Sequence, residues 1–146
     1  MAVSATPYGL ATQSLLEGEI DLSSGNIKGM LCTSDYTPDL DAHRYKSSVT
    51  GEVTGTGYTA GGLALTSVSV TYDSGTNQTA VDADPLVWEG AILDDPVRYL
   101  VLYDGTAATD GARPLIGVID FGTDLTQSGG NFTVTFDDPV VVASVG

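Results

Sequence analysis

Few side chains in this sequence could do chemistry. Among 146 residues there is one histidine, His43, and one cysteine, Cys32. A Ser-His-Asp arrangement would need His43 beside a nucleophile, and the G-x-S-x-G elbow that commonly presents one is missing. A single His and a single Cys supply a zinc site poorly. Carboxylates are plentiful, in pairs at Asp82/Asp84, Asp94/Asp95 and Asp137/Asp138. Paired carboxylates serve glycoside hydrolysis. At strand ends and turns, however, Asp more commonly caps backbone N–H groups. Asp35, Asp39 and Asp41 are weak candidate metal ligands, because clustered oxygen donors suit a hard cation such as calcium. Their spacing does not match an EF-hand loop. Gly55-x-Gly57 resembles part of a phosphate cradle but lacks the third glycine, the following helix and the P-loop lysine. The expectation is a non-enzymatic chain with no catalytic residue and no cofactor.

The elements that must position these residues are strands. Residues 51–62 form a glycine-rich loop, whose glycines are expected to serve positive-φ turns and close approach of chain to chain. Residues 63–72 then alternate, the period-2 signature of a strand. Further strands are expected over 27–34, 49–53, 78–84, 86–93, 97–104, 115–121, 131–136 and 140–145, with a shorter one over 20–22. Turn chemistry lies between them, at Asp104-Gly105, Asp110-Gly111, Gly129-Gly130 and Pro139. About eight short strands without helical interludes indicate an all-β domain, a β-sandwich or barrel. Residues 1–9 read as an N-terminal arm and residues 10–146 as a single β domain. Thr6 offers an N-cap with Pro7 at the first helical position, so a short helix is expected to run to Gly18 with Leu15 and Leu16 on an apolar stripe. A helical turn is expected within residues 39–47. Trp88, Tyr99, Tyr103, Phe121, Phe132 and Phe136 fall at strand positions and belong to the core.

Charge narrows the partners. Five Lys and Arg against nineteen Asp and Glu leave a net −14. The basic residues are scattered, which argues against direct contact with nucleic acid or an anionic membrane. A basic protein surface is the natural complement. No signal-peptide pattern and no apolar run of membrane-spanning length is evident. A lone cysteine cannot form an internal disulfide, and Cys32 is expected to be a buried, inert thiol. Tyr8, Tyr36, Tyr45 and Tyr58 lie in the arm or in loops, where tyrosine bears on interfaces at low entropic cost. With Ala2, Val3, Thr6 and Leu10 they are the candidate interface residues; the alternative is that the tyrosines pack on the rim of their own domain.

Several segments together resemble a known group. They are MAVSATPYG (1–9), IKGMLCTSDYTPDLDAHRYKSSV (27–49), EVTGTGYTAGGLAL (52–65), VTYDSGTN (70–77), DADPLVW (82–88) and PLIGVIDFG (114–122). In this order the chain resembles small virion structural proteins of tailed bacteriophages, most specifically over 36–43 and 52–62. Leu40 and Arg44 stand where that group has more polar or acidic residues. The resemblance implies a head decoration, or cement, protein. Such a protein would be made in the bacterial cytoplasm and carried on the outer capsid surface. Its partner would be the major capsid protein, and its own assembly a homo-oligomer, with a trimer favoured. A tail or head–tail junction component, and a virion-displayed host- or carbohydrate-binding domain, are the alternatives.

Overall fold

A computed structural model describes residues 2–136 and 141–144. The fold is all-β. In chain order the strands are β1 (Ala2–Val3), β2 (Thr6–Pro7), β3 (Ile27–Cys32), β4 (Gly55–Thr56), β5 (Leu63–Ala64), β6 (Ser69–Asp73) and β7 (Gln78–Asp82). They continue with β8 (Leu86–Trp88), β9 (Ile92–Leu93), β10 (Val97–Asp104), β11 (Leu115–Leu125), β12 (Phe132–Phe136) and β13 (Val141–Ser144). One α-helix, α1 (Ala11–Leu16), and two 3-10 turns complete the description. The Asp137/Asp138 pair, Pro139 and the ends of the expected 140–145 strand lie outside the described residues.

The described residues form four sheets, in keeping with the all-β expectation. The central one has five strands in the order β2-β11-β10-β3-β5. Strand β10 lies at its middle, antiparallel to β3 and β11. Six of its eight residues are buried, so it reads as a near-continuous apolar run with side chains inside on both faces. On one face Leu100 and Leu102 meet Leu86, which packs over Gly29. That contact brings the second sheet, β1-β12-β8, onto the first. Phe132, Val134 and Phe136 alternate inward with Thr133 exposed, as the sequence pattern predicts. The opposite face of β10 carries Tyr99, Val101 and Tyr103, and Tyr36 meets Tyr99 edge-on at 5.9 Å.

Residues 2–9, expected as an arm, are built into both of these sheets. Strand β1 lies parallel to β12, and β2 lies antiparallel to β11. Sheet pairing claims Thr6 and Pro7, so the helix begins at Ala11 and Leu10 takes the N-cap position. Its buried side is Ala11 and Ser14. Leu15 and Leu16, expected on an apolar stripe, are instead 44% and 82% exposed. Three other expectations resolve locally. Residues 20–22 form no strand, 49–53 contribute only a bridge from Glu52 to Cys32, and within 39–47 the His43 N–H closes a single turn on the Asp39 carbonyl before a 3-10 turn starts at Lys46. The expected 63–72 strand breaks into β5 and β6, because Ser67 takes a φ of 54° that no strand accommodates. The expected 86–93 strand divides at Gly90, whose φ is 59°.

Candidate functional site

The glycine loop is architectural. Gly62 (φ 79°) lies where a Cβ would overlap the Gly29 carbonyl, and Gly57 (φ 79°) where one would stand 2.8 Å from the Glu89 oxygen. Close chain approach, as expected, is what these glycines provide. Glu52 ties the loop down: its Oε2 accepts from the Tyr58 hydroxyl at 2.6 Å and from the Gly61 N–H at 2.7 Å. The Tyr58 oxygen in turn accepts from the Leu31 N–H at 3.0 Å, and its ring stacks on Trp88. Tyr103 closes the set by donating to the Gly61 carbonyl at 2.6 Å. The segment 52–62, part of the closest resemblance, is therefore engaged in internal packing.

The tyrosines expected at an interface divide by burial. Tyr8 and Tyr36 are each 1% exposed and lie in the core. The backbone N–H of Asp39 donates to His43 Nδ1 at 3.2 Å, which leaves that nitrogen an acceptor. Tyr36 therefore donates to it at 3.0 Å, and the Tyr8 hydroxyl donates to the Tyr36 oxygen at 2.7 Å. His43 thus caps a chain of internal hydrogen bonds and stacks on Tyr36. Tyr45 is half-buried and donates to Glu19 Oε2 at 2.8 Å. That bond, with Arg44 alongside, holds the Glu19 carboxyl below its ordinary range. Tyr58 is half-buried, as described. Of the other interface candidates, Thr6 is exposed, and Val3 and Leu10 are half-buried. Ala2 is placed by its backbone alone, in β1.

Asp35, Asp39 and Asp41 do not converge. Asp39 Oδ1 accepts from the N–H groups of Asp41 and Ala42, each at 3.0 Å, which is ordinary turn capping. Among the described residues no three His, Cys, Asp or Glu side chains gather as a metal site. Cys32 is fully buried, and burial, with Glu52 nearby, pushes its thiol up to about 12. No helix is long and apolar enough to cross a membrane among the described residues.

Buried acids whose neutral forms are favoured give the molecule an alkaline limit. Burial also raises Tyr8 and Tyr58, helped by their hydrogen bonds to Tyr36 and Glu52, and pushes Tyr103 up to about 12. In the unfolded chain a thiol titrates near 9.0 and a phenol near 10.0. The stability from these four groups is therefore complete below pH 9.0 and is lost as pH rises through and above that value. Urea unfolding midpoints should be level from about pH 7 to 8.5 and fall steeply by about pH 10.5, and a flat profile would contradict the burial of these hydroxyls.

What faces solvent is the β6–β7 part of the third sheet, β13-β7-β6. Its β6–β7 hairpin leaves the body at a neck where the Asp84 N–H donates to the Thr66 carbonyl at 3.0 Å. All five residues of β6 are exposed, and none of β7 is fully buried. One face carries Ser69, Thr71, Asp73, Gln78, Ala80 and Asp82, which line a shallow groove. The other carries Val70 and Tyr72, 51% and 54% exposed. Among the described residues nothing pairs with the outer edge of β6. The surrounding sequence is one-signed: residues 47–97 hold seven acidic residues and no Lys or Arg. Sequence alternation over 63–72 marked the first of these strands without fixing its exposure; the further signal was this unbroken acidic stretch.

Comparison of the chain with protein families, with curated proteins and with solved structures gives no match. The resemblance to phage virion proteins rests on the segments quoted for it.

Proposed function

We propose that this chain is a structural component of a tailed-bacteriophage virion. Within that class its role is head decoration: it sits on the outer capsid face, clamps neighbouring copies of the major capsid protein and stabilises the assembled shell. The observation that carries this reading is the exposed β6–β7 hairpin, whose Val70 and Tyr72 are left to solvent beside a well-filled core. An exposed apolar face marks attachment to another macromolecule. The net charge of −14 suits a basic partner surface, so attachment weakens with added salt. Binding to the assembled shell and not to separated subunits stabilises the shell by mass action. Three-fold clustering of copies fits the same role.

The test is the copy number of this chain in purified virions, by quantitative mass spectrometry against the major shell protein. Hundreds of copies, or about one per shell subunit, is the expected result. A few to a few dozen copies would place the chain in the tail or neck, and none would remove it from the virion.

A further inference from the structure

We infer that the outer edge of β6 is a docking site for an extended strand of a cationic partner protein in which basic and apolar residues alternate. The inference deepens the virion reading and rests on it for the partner's identity, not for its chemistry. Among the described residues strand β6 is the edge of its sheet, so alternate residues turn N–H and C=O groups outward that no described strand pairs. Natural edges are commonly blunted by Lys, Pro or a bulge. Ser69–Asp73 contains neither Lys nor Pro, and its pairing with β7 runs from Ser69↔Asp82 to Asp73↔Gln78 without a bulge. The backbone is thus presented as a ready template for strand addition.

The side chains decide what the added strand must be. Its residues would alternate between the two faces of the sheet, about 4.8 Å from β6. One set falls beside Val70 and Tyr72 and is best apolar. The other falls beside Ser69, Thr71 and Asp73, on the face that also holds Asp82, and is best basic. A second copy of this chain is the poorer occupant. Each copy brings a net −14, and a two-fold pairing of β6 edges would bring their acidic hairpins together.

The experiment titrates the full chain with the blocked peptide Lys-Val-Lys-Val-Lys-Val-Lys, following amide chemical shifts and hydrogen exchange. Controls are a Lys₄Val₃ block peptide of the same composition and the variant Val70→Lys/Tyr72→Lys, altered only at exposed positions. The expected result is saturable binding, with shifts and new protection confined to β6 and β7. Affinity should be about tenfold or more weaker for the block peptide and for the variant. Equal binding of the two peptides would reduce the effect to net charge and overturn the inference, as would no binding at all. Sedimentation showing a β6-mediated dimer that excludes the peptide would overturn it in favour of self-association. High virion copy number with no peptide binding would fail strand addition alone. Peptide binding with no copies in virions would fail the virion reading alone.

Discussion

Gly62→Ala should be among the most damaging single substitutions in this chain, costing about 4 kcal/mol or more. Two penalties combine. A φ of 79° puts an L-residue in the left-handed region, worth about 1–2 kcal/mol. The added Cβ would also overlap the carbonyl oxygen of Gly29, which is backbone and cannot swing away. Relief requires moving β5 off β3, where Leu63 pairs with Gly29. Gly90→Ala is the control, because its φ of 59° is comparable while its Cβ direction is open. That variant should lose only about 1 kcal/mol. Urea midpoints of the two variants separate the steric cost from the conformational one. Equal losses would mean that the glycine loop does not press on β3.

Trp88→Ala should cost about 3–5 kcal/mol, enough to unfold a domain of ordinary stability in part. Trp88 is 2% exposed, stacks on Tyr58 at 6.1 Å and meets Phe132 edge-on at 6.1 Å. Removing it opens a cavity between the glycine loop and β12. Trp88→Phe is the informative companion. Among the described residues the buried indole Nε1 has no hydrogen-bond partner, and an unsatisfied buried donor costs about 1–3 kcal/mol. Phenylalanine removes that donor and keeps most of the ring contact, so its loss should be well under half that of alanine. Thermal unfolding followed by circular dichroism measures both. A Trp88→Phe loss equal to that of Trp88→Ala would show that the indole nitrogen is satisfied.

How much of this was legible in the sequence depends on which interaction fixes each element. Strand β10 was readable to its ends, because eight consecutive residues without Gly or Pro lie between turn signals. Strand β12 was readable because Phe132, Val134 and Phe136 alternate. The glycine loop was readable in kind, since close approach needs glycine whatever stands opposite. Other features were fixed by partners far along the chain. Thr6 and Pro7 carry a sound local signal for a helix start, yet pairing with Gly117 and Val118 makes them a strand. Tyr8 and Tyr36 stand in segments that look like loop, yet their hydroxyls meet across 28 residues in the core. The break at Ser67 had no signature at all, because serine is not a residue that advertises a positive φ. The candidate surface was half visible. Its strands and its acidity were there to read, but period-2 alternation cannot tell a sheet packed on one face from one that stands clear of the body.

The parallel pairing of β1 with β12 also governs when the molecule can finish folding. Val3 finds its place only beside Phe136, about 130 residues later in the chain. Closing so long a loop is entropically costly and slow, and it must precede the contacts that reward it. On the ribosome, β1 waits unpaired until β12 has emerged. Until then β1 and the side of β8 that β12 later covers are exposed edges, vulnerable to pairing between nascent chains on neighbouring ribosomes.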